Sequence, residues 1–137
     1  MTPEKIVLVR SSWQQVLPIA DTAAQLFYGQ LFELDPTLRP MFKGDMVEQG
    51  RKLMVMINMV VNSLDNLGPI LERVEELGSG HVAYGVKAAH YDTVGSALIW
   101  TLGKGLGDAF TPAVKEAWIE AYTVLSSVMK RAAYTTA

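Results

Sequence analysis

The chain has 137 residues, half of them hydrophobic, with 12 Lys plus Arg against 14 Asp plus Glu, a net charge of −2 and no cysteine. That is enough apolar material for the core of one compact domain, which excludes intrinsic disorder, and the missing basic excess disfavours nucleic-acid binding. The absence of cysteine excludes disulfides, cysteine-ligated zinc, iron–sulfur clusters, thiol nucleophiles and cofactor attachment through a CxxCH motif.

The amino terminus, Met1 to Lys5, shows no charged-then-apolar export pattern. The longest apolar stretch, Leu53 to Val61, is interrupted by Asn58 and is far shorter than the ~20 residues of a membrane span. One cytoplasmic domain over residues 1–137, without membrane contact, is expected.

Ile6, Val9, Trp13, Val16 and Leu17 form one helical stripe, with Thr2 as N-cap and Pro3 at the first helical position. Pro18 ends it. Asp21 is the next expected N-cap, followed by the stripe Ala24, Phe27, Tyr28, Leu31 and Phe32. Pro36 stops this helix or starts a short one carrying Leu38, Met41 and Phe42, bounded by Gly44. Leu53, Met56, Ile57, Val60, Val61 and Leu64 mark the clearest helix, over about 47–64. After Gly68-Pro69, Ile70, Leu71, Val74 and Leu77 make a shorter stripe. A helix from near His90 carries Val94, Ala97, Leu98, Thr101 and Leu102, and is expected to end in the glycine-rich run Gly103 to Gly107. Thr111-Pro112 starts the last stripe, Val114, Trp118, Ala121, Tyr122, Leu125, Val128 and Met129, and the Thr135–Ala137 tail is expected to fray.

No segment alternates with period two between turn signals, and no repeat appears. The fold class is therefore all-α, with six main helices and one or two short ones. Their uneven lengths fit helices crossing at roughly 50° around a pocket better than an up-down bundle.

The chemistry-bearing inventory is thin. The two histidines, His81 and His90, lack zinc-site spacing, and no hydrolase nucleophile elbow occurs. Gly103 to Gly107 matches no phosphate-binding motif, and the adjacent Glu75 and Glu76 point apart on a helix. His81 follows Leu77 by four, so both share one helix face. Spacing leaves two readings open: a core imidazole bonded to backbone, or an axial ligand to haem iron. Gln49, Leu53 and Ile57 lie on one face of the helix after Asp45. Gln49 is either the exposed start of that helix or the single amide of a gas-binding pocket. Tyr28 sits within a buried stripe, so its hydroxyl needs a partner, either backbone or ligand.

These residues, in this order, resemble the globin family over nearly the whole length. The likeness is carried by Leu26-Phe27-Tyr28, Leu31-Phe32, Pro36, Phe42, Gln49-Gly50-Arg51-Lys52-Leu53-Met54, Leu77-Gly78, His81, Tyr84-Gly85-Val86-Lys87, Ala88-Ala89-His90-Tyr91, Val94-Gly95, Phe110-Thr111-Pro112, Ala117-Trp118 and Ala121-Tyr122. Within the family the chain is similar to single-domain bacterial globins related to the flavohaemoglobin haem domain, and to neuroglobins.

The resemblance implies a globin fold holding haem b non-covalently, with His81 as the proximal iron ligand and Phe42 packed on the haem face. Tyr28 and Gln49 become the distal polar residues and Leu53 their apolar neighbour. Ile57, Leu77, Val86, Tyr91 and Val94 become pocket-lining, with Lys52 and Lys87 near the haem propionates. Gln49 stands where neuroglobin-like proteins carry a distal histidine, which excludes bis-histidine coordination there. Ala133 stands at the late glutamate of flavohaemoglobins, which argues against their proximal His–Tyr–Glu network.

The expected function is reversible binding of O2, CO and NO, with high O2 affinity. NO dioxygenation is the expected chemistry, with Tyr28 and Gln49 acting on the gas. The chain carries no flavin or nicotinamide domain in its 137 residues, so electrons are expected from a separate reductase. A monomer or weak dimer is expected. The competing readings are a ligand or redox sensor or electron-transfer partner, as proposed for neuroglobins, and a haem-free helical domain.

Overall fold

The computed structural model describes residues 2–42, 44–66 and 90–134. Helix α1 spans Pro3–Val16, and the Thr2 hydroxyl accepts from the Lys5 backbone N–H at 3.3 Å. Pro18 lies in a single 3₁₀ turn, Leu17–Ile19, that leads into α2, Ala20–Leu34. Asp21 is not the cap expected of it. The Ala20 N–H bonds the Leu17 carbonyl, so the chain passes from one helical turn to the next without an extended residue to cap. Asp21 lies inside the first turn instead, where its charge meets the positive end of the helix dipole.

Asp35 is extended and accepts from the Thr37 backbone N–H at 3.0 Å, opening the 3₁₀ helix Pro36–Met41. Asp45 caps α3, Met46–Asn62, by accepting from Val47 at 2.9 Å. Helix α4 spans His90–Leu106. It runs straight through Gly103 and Gly105, where the sequence suggested a loop. Buried Leu102 and Leu106 hold that last turn against the core, so packing overrides the weak helix propensity of glycine. The chain turns only at Gly107, whose φ of 55° is left-handed. After a 3₁₀ turn at Gly107–Ala109, Thr111 caps α5, Pro112–Tyr134, accepting from Val114 at 3.3 Å.

Among the described residues there is no strand, and no helix is long and apolar enough to cross a membrane. The expected stripe at Ile70–Leu77, the histidine at position 81 and the tail from Thr135 fall outside the described residues.

Two apolar clusters organise the helices. The first joins α1, α3, α4 and α5 around Trp13 and Trp118, whose ring centroids are 6.1 Å apart. Both indole N–H groups have partners. Trp118 donates to the Ser12 hydroxyl at 2.8 Å, which itself donates to the Leu8 carbonyl at 2.7 Å. Trp13 donates to the Asn58 side-chain oxygen at 2.9 Å. Asn58, which interrupts the apolar stretch of α3, is thus the acceptor that lets Trp13 be buried. Arg10 ties the carboxyl end of α3 to α1, donating to the carbonyls of Val61 and Asn62 and to Asp65 at 3.1, 3.0 and 2.8 Å.

A cavity of about 40 Å³ lies between α3, α4 and α5, lined by apolar side chains that include Ile57, Val61, Leu98 and Trp118. The second cluster lies between α2, the 3₁₀ helix and α4, around Tyr28.

Ser12→Ala removes the acceptor of the fully enclosed Trp118 indole. We expect a loss of about 1–3 kcal/mol in urea unfolding, with the helical circular-dichroism spectrum of the folded protein unchanged.

Candidate functional site

The second cluster contains the polar pair. Phe27, Tyr28 and Leu31 are buried on one face of α2, and Tyr28 is only 7% exposed. Three aromatic rings box in the phenol. Phe27 meets it edge-on at 5.0 Å between centroids, Phe42 edge-on at 5.3 Å, and Phe32 lies stacked at 6.1 Å. Such contacts are worth about 0.5–1.5 kcal/mol each beyond the area they bury.

The side chain of Gln49 on α3 lies next to the Tyr28 hydroxyl. Burial pushes the phenol pKa up, and Gln49 pulls it partly back.

Phe42 follows the 3₁₀ helix and is braced from two sides. Its ring meets Phe32 at 5.4 Å, and the Arg39 guanidinium donates to its carbonyl at 3.3 Å. Arg39 also sits over the Phe32 ring at 5.4 Å, a cation–π contact. Leu53, one turn after Gln49, packs on the same cluster, as do Met46, Val94 and Leu98, all partly buried. The wall around Tyr28 and Gln49 is therefore aromatic and aliphatic, with one phenol–amide pair.

The structure thus brings Tyr28, Phe42, Gln49, Leu53 and Val94 together. Ile57 is placed differently. It lies two turns beyond Gln49, about 12 Å along the axis, and packs against the tryptophan cluster and the cavity. Lys52 is exposed and pairs with Glu48 on its own helix at 3.8 Å. Tyr91 is buried at the start of α4, and its carbonyl accepts from the Tyr122 hydroxyl at 2.7 Å. Tyr122 reaches it by crossing Gly95, where a Cβ would lie 2.8 Å from the ring. Leu77, His81, Val86 and Lys87 lie outside the described residues.

Periodicity did not flag two supports of the site. One is the Arg39–Phe32 brace, whose sequence signal is an arginine three residues before Phe42. The other is His90, whose Nε2 lies 3.9 Å from Asp35, joining the start of α4 to the end of α2. Asp35 is held below the usual carboxylate range, first by its bond from the Thr37 hydroxyl and further by the backbone of Thr37 and the charge of His90.

The described residues thus form helices and turns that place an aromatic wall around Tyr28. The sequence model of the globin family matches residues 25–129, and the chain belongs to that family, whose members bind haem and through it diatomic gases. It is 30% identical to a neuroglobin of Danio rerio, over 90% of this chain and 87% of that protein. It is 27% identical to neuroglobin-1 of Oncorhynchus mykiss, over 96% and 91% of the two chains. Among solved structures it resembles a bacterial globin from Campylobacter jejuni, with a TM-score of 0.82, 26% identity, and 95% and 97% of the two chains covered.

The phenols of Tyr28 and Tyr122 are both pushed above the ordinary tyrosine range, by burial before any other cause. An unfolded chain releases these protons first, near pH ~10, so stability falls as pH rises through that value. We expect the urea midpoint to drop between pH 9 and about 11, and the drop to be smaller in Tyr28→Phe.

Proposed function

We propose that the chain holds haem b non-covalently, with His81 as the iron ligand, Phe42, Leu53, Leu77, Val86, Tyr91 and Val94 around the ring, and Tyr28 and Gln49 as the polar groups of the gas site. The observation that carries this reading is the buried Tyr28 phenol, boxed by Phe27, Phe32 and Phe42 and neighboured by Gln49, within an otherwise apolar wall. That chemistry fits haem: a flat apolar ring needs an apolar slot, and a diatomic gas needs one or two donors beside it. The described wall supports this with apolar and aromatic side chains and, at Tyr28 and Gln49, groups able to donate.

Haem supplies, when bound, an iron centre that takes up O2, CO and NO reversibly and leaves more negative charge on O2 than on CO. The residues of this chain act on that difference. Gln49 fixes the phenol by donating to its oxygen, which leaves the Tyr28 O–H to donate toward the gas. Gln49 has a second amide N–H for the same purpose. The aromatic box keeps the phenol from rotating away, and Leu53 with Phe42 excludes water that would compete for these donors.

A hydrogen bond to a charged partner is worth about 1.5–3 kcal/mol. Two of them slow the release of O2 by roughly 10²–10⁴. A site that holds O2 this long suits consumption of NO better than O2 delivery. Nitrate forms from O2, NO and one electron, and a separate reductase supplies the electron. The cytoplasm is the compartment where such a reductase meets the chain.

Tyr28→Phe in the haem-loaded protein tests the site. We expect O2 release to speed up by about ten- to hundredfold, with CO release changed by less than threefold. Equal effects on the two gases mean that Tyr28 acts by packing alone. Rapid mixing of the O2-loaded protein with NO tests the chemistry, which requires prompt formation of stoichiometric nitrate.

A further inference from the structure

The wall around Tyr28 differs in thickness from side to side. On one side stands Phe27, itself only 4% exposed. On the other, Phe32 and Phe42 are half-buried, so a single layer of rings separates the phenol from solvent there. These two rings and the phenol close a triangle, with centroids 5.3, 5.4 and 6.1 Å apart. Phe32 belongs to α2, whereas Phe42 follows the 3₁₀ helix with an extended backbone. Beyond a helix end, a residue keeps its place through whatever its own N–H and carbonyl bond to. For Phe42 both partners are one residue. Its N–H donates to the Arg39 carbonyl at 3.1 Å, and its carbonyl accepts from the Arg39 guanidinium at 3.3 Å. The same guanidinium lies over the Phe32 ring, 5.4 Å from the centroid. Arg39 is exposed, so it spans the two outer aromatic residues from the solvent side.

We propose that Arg39 is a positioning residue, a latch across the outer edge of the gas site: by holding Phe42 against Phe32 it keeps water from the Tyr28 phenol, and so sets how long O2 is retained. The role in retention rests on the haem-pocket reading above. Water that reaches the phenol takes the hydrogen bond otherwise offered to the gas, and it screens what remains. The two tasks of the latch need a guanidinium. Its flat face stacks on an aromatic ring while an N–H at its edge meets a carbonyl. A lysine ammonium is a compact point of charge and meets one partner or the other. A cation–π contact and a hydrogen bond together shift the balance between a closed and an opened wall by about tenfold.

The test compares Arg39→Met, which keeps an apolar stem, with Arg39→Lys, which keeps the charge. In the haem-free chain, nitration by tetranitromethane, mapped by mass spectrometry, reads the access of each phenol. We expect Tyr28 to react about tenfold faster in Arg39→Met, and Arg39→Lys to restore only part of the protection. Tyr122, whose hydroxyl is bonded to the Tyr91 carbonyl, is the internal control and keeps its rate. In a Phe32→Leu background the effect of Arg39→Met shrinks to about threefold or less, because the ring it works on is gone. In the haem-loaded chain, Arg39→Met speeds O2 release by about three- to tenfold and leaves CO release within about twofold. Unchanged nitration of Tyr28 in Arg39→Met, an equal rise at Tyr122, or full protection by lysine overturns the latch. Faster nitration with unchanged O2 release overturns its role in retention. Tyr28→Phe in the same assay separates this from the gas-site reading. If it speeds O2 release and Arg39→Met does not, only the role of Arg39 fails; if neither does, the gas-site reading fails, and nitration in the haem-free chain still decides whether Arg39 seals the wall.

Discussion

The placement of Gln49 on α3 beside the buried phenol of Tyr28 on α2 is the constraint on which the rest depends. Neither residue is a site by itself. A buried phenol without a partner would be costly, and a lone glutamine at a helix start would turn to water. Together they make a fixed donor group inside an apolar wall. The wall depends on the pair too, because Phe27, Phe32 and Phe42 are arranged around a phenol that stays in place.

The rest of the fold keeps α2 and α3 in register. Trp13 and Trp118 anchor α1 and α5, and their indole N–H groups are met by Ser12 and Asn58. Because Asn58 belongs to α3, its bond to Trp13 sets the rotation of that helix as well as its position. Arg10 fixes the carboxyl end of α3, and Asp45 caps its amino end. With both ends and its rotation held, the face bearing Gln49 and Leu53 has one direction to point. On the opposite side of the phenol, Arg39 holds Phe42 through its carbonyl. The proposed gas site is therefore set by a frame of hydrogen bonds outside it.

Helix positions were readable because burial repeats with the helical period: Val9, Trp13 and Val16, or Phe27, Tyr28 and Leu31, are buried where the stripes place them. Proline and threonine caps were equally readable, since their effect is local. Asp21 misled because a capping residue works only after an extended backbone, and the turn at Leu17–Ile19 never becomes extended. Gly103 and Gly105 misled because the packing of Leu102 and Leu106 outweighs glycine's preference for loops. Long-range partners were not readable. Nothing in the spacing of Asn58 or Arg10 announces what lies across from each, and Ile57 shares a line with Gln49 yet belongs to a different cluster. The joint role of Tyr28 and Gln49 came into view through likeness to a family, and the structure places the two side chains next to each other.

The central claim is that this chain grips haem through the imidazole of His81. Titration of haemin into the haem-free protein, followed by the Soret band, measures this most directly. The account predicts saturation at one haem per chain, and a weak or absent complex in His81→Ala that added imidazole restores. No Soret band in the parent protein, or equal haem binding by His81→Ala, would contradict it.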